Sequence, residues 1–186
     1  MHRLLKFLWL TCFVSSACAQ QFLPPEKMTH SGKTYSLVYK NSLPNGREIF
    51  EYTTDNEPIE KWSSLVTLNY AKSLAATPLK WADTVKVALD REKPKPHYSL
   101  YIKGNNGYAK IIYEPNSKNP IYESNVHKSF HMETCGGLLV FQFAKKYPQN
   151  TDQSDEGKLS TLKQIAKENT QFADEIEKSE WLPNCS

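Results

Sequence analysis

The chain has 186 residues, 39% of them apolar and 12% aromatic, which is enough for one ordinary domain and short for two. Charged residues make up 23% and the formal net charge is +3, a balance that excludes both compositional disorder and a polyanion-binding surface. No long apolar run follows residue 20, which excludes a polytopic membrane protein built of helices.

Residues 1–19 read as a secretory signal peptide. Met1 to Lys6 is a short basic start, Phe7 to Val14 is an apolar stretch too short to remain as a spanning helix, and Ser15 to Ala19 supplies the small residues of an Ala-x-Ala cleavage site. Cleavage is expected between Ala19 and Gln20, giving a periplasmic or secreted protein with no membrane span. A lipid anchor at Cys18 is disfavoured, because Ser15 stands where a lipobox takes an apolar residue. Loss of Arg3 and Lys6 lowers the net charge to +1, and what remains divides into −4 on residues 151–186 and +5 on residues 20–150. That asymmetry suits an acidic surface helix packed on a mildly basic sheet. Cys12 and Cys18 leave with the signal, so Cys135 and Cys185 remain as a pair in an oxidising compartment and are expected to form a disulfide.

Residues 20–33, with Pro24-Pro25, read as an extended leader without periodicity, and residues 34–186 as a single domain. Tyr35, Leu37 and Tyr39 alternate with Ser36, Val38 and Lys40, then Pro44-Asn45-Gly46 supplies turn chemistry before a second strand over 48–53. A short helical turn from Asn56 to Trp62 leads to a strand over Leu65 to Tyr70. Thr77-Pro78 pairs an N-cap with proline at the first helical position, and Leu79, Ala82, Val85 and Leu89 fall on one face, so a helix is expected from Pro78 to about Arg91. Strands over 98–102 and 109–113 flank Gly104-Asn105-Asn106-Gly107 as a second hairpin. Residues 121–135 follow as one long strand or two shorter ones, broken by Gly136-Gly137. Residues 138–143 are the most apolar stretch and are expected to form a central strand buried on both faces. Leu159, Leu162, Ile165, Ala166, Phe172, Ala173 and Ile176 recur at helical spacing, giving a second helix that ends near Glu180. The pattern is α+β: a mainly antiparallel sheet of six or seven strands with two principal helices packed on it.

On a regular strand His127, Ser129, His131, Glu133 and Cys135 share one face, while Val126, Phe130 and Met132 face the other way. Imidazole, carboxylate and thiolate all bind zinc, so a metal site, or a hydrolase using His127, His131, Glu133 and Cys135, is the competing functional reading. Its weakness is geometric, since same-face neighbours on one strand stand about 7 Å apart and a tetrahedral site recruits several elements. Cys135 as a nucleophile with His131 or His97 as base conflicts with the expected disulfide. There is no nucleophile elbow, phosphate loop, dinucleotide fingerprint or HExxH motif, and no cofactor is expected. The carboxylate pairs Glu48 and Glu51, and Asp55 and Glu57, read as surface residues. Tyr98, Tyr101, Tyr108 and Tyr113, with Tyr122, cluster around the second hairpin and form a candidate protein-binding surface. A mature charge of +1 argues against nucleic acid.

The stretch Pro58-Ile59-Glu60-Lys61-Trp62-Ser63-Ser64-Leu65-Val66-Thr67 resembles a segment of small exported proteobacterial proteins of unassigned function, which carry a Trp-x-x-x-(Val/Ile)-Thr pattern. Leu138 to Ala144 resembles their later apolar segment. The resemblance implies a bacterial periplasmic protein and brings no catalytic residues with it. In physical terms Trp62 reads as a core anchor at the entry to a strand. Taken together, the expected function is a non-enzymatic exported domain that binds another protein, such as an immunity protein or an envelope accessory factor.

Overall fold

A computed structural model of the chain describes residues 21–72, 77–181 and 183–186. The signal-peptide reading of residues 1–19, with Cys18, lies outside them. The strands are β1 (Phe22–Leu23), β2 (Lys27–His30), β3 (Lys33–Ser42), β4 (Arg47–Thr53), β5 (Ser64–Ala71), β6 (His97–Lys103), β7 (Asn106–Tyr113), β8 (Tyr122–His131), β9 (Leu138–Tyr147) and β10 (Asn184–Cys185). The helices are α1 (Pro78–Arg91) and α2 (Asp155–Lys178), with a 3-10 turn over Ile59–Lys61. The protein is α+β: one antiparallel eight-stranded sheet runs β2-β3-β4-β5-β9-β8-β7-β6, and β1 pairs separately with β10.

Of the segment 20–33, read as a leader, the described residues 21–33 are extended but also part of the fold. Ser31 and Gly32 take positive φ, 46° and 71°, and close a two-residue turn that pairs β2 with β3. Phe22 and Met28 are buried in the main core. Along β3 a bulge shifts the register between Leu37 and Tyr39. Tyr35 is therefore buried, whereas Tyr39 turns out to solvent and Lys40 takes the place opposite Phe50. Trp62 is not a core anchor. It is half-exposed, with the Lys146 ammonium 3.7 Å from its ring centroid.

Both helices begin where their caps place them. Thr77 Oγ1 accepts from the Lys80 backbone N–H at 3.2 Å, and Ser154 Oγ accepts from Gly157 N–H at 3.1 Å. Helix α2 thus starts four residues before Leu159, with Asp155 and Glu156 in its positive first turn. The strand expected over 121–135 stops at His131. Met132 N–H donates to the Gly137 carbonyl at 2.9 Å, and residues 133–135 form a turn that Gly136 and Gly137 close at φ 69° and 86°. A Cβ on Gly137 would stand 2.4 Å from the Ala71 carbonyl oxygen, so this close approach requires glycine. Cys135 in that turn is disulfide-bonded to Cys185 of β10, with a Cα–Cα separation of 5.5 Å.

Strand β9 sits at the centre of the sheet between β5 and β8. The two helices take opposite faces. On the inner face Tyr35, Phe50, Tyr52, Val66, Leu68, Val126, Phe130, Leu139 and Phe143 pack against Ala173 and Ile176 of α2. On the outer face Ala109 and Ile111 pack against Trp81, Val85 and Leu89 of α1. The sheet curls so far that its edge meets the helix lying on β7 and β8: Ser31, beside β2, donates a hydrogen bond to the Glu175 carboxylate of α2. Acids of α2 also meet sheet lysines, Glu168 with Lys145 and Glu177 with Lys103.

Candidate binding site

Where β2 folds over to meet the C-terminal end of α2, the inner face is incompletely filled. A cavity of about 110 Å³ remains, walled by Met28, Phe130, Phe141, Ile176 and Trp181, with His30, Lys128 and Ser179 among its polar groups. Strand alternation brings these together. Met28 and His30 share a face of β2, Lys128 and Phe130 share a face of β8, and Lys128 lies directly opposite Phe141 in the register.

His30 stands edge-on to Phe143 and Phe141, with ring centroids 4.5 Å and 5.5 Å away. Its Nε2 is shielded from solvent and has no hydrogen-bond partner among the described residues. Burial holds the imidazole pKa below its ordinary value, against an opposing pull from Glu175, so the ring is neutral at pH 7. Lys128 Nζ donates to the Ser179 carbonyl oxygen at 2.7 Å, at the C-cap of α2 where helix carbonyls lack partners. Burial lowers the pKa of this ammonium and Glu180 counters it.

The cavity shares Lys128, Phe130, Ser179 and Trp181 with a larger groove of about 710 Å³. The groove runs between the β6–β7 turn at Asn105 and Asn106, the turn carrying Glu133 and Thr134, and the end of α2 at Glu177 and Glu180. A mostly apolar cavity edged by Lys128, sharing a wall with a polar groove, has the makeup of a site for an apolar group with a polar tip.

The His/Glu/Cys constellation expected on one strand face does not assemble. His127 is on β8 but faces outward beneath α1, its ring 6.0 Å from that of Trp81, and burial pushes its pKa down to about 4. His131 and Glu133 are exposed at the groove, Glu133 in the turn rather than on the strand, and Cys135 is oxidised. Among the described residues no group of three or more His, Cys, Asp or Glu is placed to hold a metal ion. His97 pairs instead with Glu114 at 2.7 Å.

The four tyrosines do not form one surface. Tyr98 and Tyr113 belong to the α1 side, where Tyr98 donates to Asp90 at 2.6 Å and burial pushes the Tyr113 hydroxyl up to about 12. Tyr101 and Tyr108 stack at 5.1 Å on the opposite face, where Tyr101 donates to Glu177 of α2 at 3.3 Å. They hold the helices to the sheet. Glu51 is half-buried opposite Thr67, while Glu48, Asp55 and Glu57 lie in other parts of the β3–β5 surface.

The fold and site define a class: an α+β domain whose curled antiparallel sheet is closed by one long helix, with an apolar cavity at the seam. Within that class the chain belongs to a protein family whose sequence profile matches residues 22–181. It is 24% identical over 156 residues to an uncharacterized protein of Haemophilus influenzae, an alignment covering 78% of this chain and 79% of that one. No solved structure matches it. The profile spans every residue that walls the cavity.

Proposed function

We propose that this is a non-enzymatic binding domain, exported to the periplasm or beyond after cleavage between Ala19 and Gln20, and that its partner is another protein. The observation that carries the reading is the cavity opening into a groove. Such a pairing gives one apolar anchor a water-free seat, while polar walls engage the residues on either side of it. On this reading the chain acts as an immunity protein or an envelope accessory factor, holding a segment of its target without chemistry.

Crosslinking in living cells tests the proposal. A photoreactive side chain at Asn105, on the groove wall, is expected to yield one discrete protein adduct in the periplasmic fraction. The same group at Lys93, beyond the C-terminal end of α1, is expected to yield none. Adducts from both positions, or from neither, would falsify the groove as the binding surface, and a protein retained in the cytoplasm would overturn the export.

A further inference from the structure

The edge of a sheet is a row of unpaired backbone groups, and folded chains blunt it with short strands, bulges or cover. The β2 side of this sheet carries such devices: β2 has four residues, β3 is bulged just past it, and Ser31 ties that corner to α2. The β6 side carries none. Strand β6 runs without a bulge over seven residues and, among the described residues, pairs with β7 alone. The β6–β7 turn is built on Gly104, at φ 57°, and Asn105, so the flanking Lys103 and Asn106 exchange both their backbone bonds. Alternation then points the N–H and C=O of Tyr98, Leu100 and Ile102 away from β7. This row is bounded evenly about Leu100, because Pro96 has no N–H to donate and the chain turns at Gly104.

The side chains along the edge match themselves. Tyr98 and Leu100 lean towards α1 on the outer face, and Ile102, on the same face of the strand, is 44% exposed. Helix α1 crosses above β6 in the opposite direction: the Pro78 carbonyl oxygen would stand 3.1 Å from a Cβ on Gly107, which is opposite Ile102, while Asp90 accepts from Tyr98. Leu79, Asp83, Lys86 and Asp90 share one face of α1, the flank above the edge, and Leu79 is 60% exposed. A second copy turned about a two-fold axis through Leu100 sets Leu100 against Leu100 and Ile102 against Tyr98. The same rotation brings Asp83 of each copy across from Lys86 of the other, and Lys103 across from the His97–Glu114 pair. We propose that β6 is a dimer edge, on which two copies of this chain pair antiparallel through the backbone groups of Tyr98, Leu100 and Ile102, joining their sheets into one. This is independent of the groove and of what occupies it.

Sedimentation equilibrium of the purified protein over a concentration series is expected to show a monomer passing into a dimer. Amide hydrogen exchange followed by nuclear magnetic resonance over the same series should show the Tyr98, Leu100 and Ile102 amides gaining protection as the dimer fills. Neither measurement needs a variant. Ile102→Lys, at an exposed position, is expected to weaken the dimer about tenfold with unchanged far-ultraviolet circular dichroism, since symmetry makes one substitution count twice. A monomer at every concentration, a dimer whose three edge amides exchange as in the monomer, or a dimer indifferent to Ile102→Lys overturns the proposal. In the crosslinking experiment a self-adduct, of twice the mass of the chain, belongs to this edge, and its mass sets it apart from an adduct with another protein at the groove.

Discussion

His127 shows how much one side chain's surroundings decide. Its Nε2 is buried without a partner among the described residues, and its pKa is held at about 4 by burial alone. The unfolded chain therefore takes up this proton at higher pH than the folded one, and stability falls as pH drops from about 6.5 towards 4. The span corresponds to up to about 3 kcal/mol. Urea unfolding of wild type and His127→Phe at pH 7 and pH 4 checks this: the variant is expected to lose markedly less stability between the two. His30, lowered in the same direction, leaves some slope in both proteins. Parallel losses would remove His127 as the cause. The residue stood out in the sequence for metal binding, a reading that needed β8 to run on to Cys135. The turn closed by Gly136 and Gly137 ends the strand first, although the double glycine was visible. His30 and Lys128 carried no signal at all, because nothing local says that two strands so far apart in the chain will face one cavity.

Among the elements, α2 depends on a residue that periodicity overlooks. Asn169 is polar yet buried, and its side-chain amide is within hydrogen-bonding distance of the Ile111 carbonyl at 3.2 Å, Ser124 Oγ at 3.1 Å and the Asn125 carbonyl at 3.1 Å. It fastens the helix to β7 and β8 in the middle of an otherwise apolar stripe. Asn169→Ala leaves those acceptors without their donor in a closed space and is expected to lower stability by about 2 kcal/mol, read from the urea midpoint. An unchanged midpoint would mean that the contact contributes nothing net. Elements with complete local signals were legible. Helix α1 occupies the range that Thr77-Pro78 and its apolar face foretell, and the β6–β7 hairpin forms around Gly104-Asn105. Where tertiary context intervenes, local patterns fall short. The bulge in β3 reverses Tyr39, and β2 looked like leader because only Ser31-Gly32 marks its turn.

At the scale of the whole molecule the antiparallel sheet with two helices followed from the alternation of apolar residues. The curl that brings β2 against α2, and so creates the cavity, did not. It arises from packing among side chains that the sequence separates widely, Ser31 with Glu175 and His30 with Phe143. The disulfide was inferred from cysteine arithmetic, and it closes a loop with a sequence separation of 50. In the chain-entropy view such a closure contributes about 4 kcal/mol. The double variant Cys135→Ser, Cys185→Ser should be less stable by up to that amount while keeping the far-ultraviolet circular dichroism of the sheet, and equal unfolding midpoints would contradict it. Beside the disulfide, Gln21 N–H donates to the Ser186 carbonyl at 2.6 Å and Ser186 N–H donates to the Gln21 carbonyl at 3.0 Å. The first and last described residues are thus held side by side, and a joint between them would need only a short span. A short peptide bridge across that joint and a cut in the loop over 116–119 would keep every strand next to its present neighbours. A chain permuted in this way is expected to keep the far-ultraviolet circular dichroism of the present sheet, and a loss of that signal would show that the order of the elements along the chain matters as well as their neighbours.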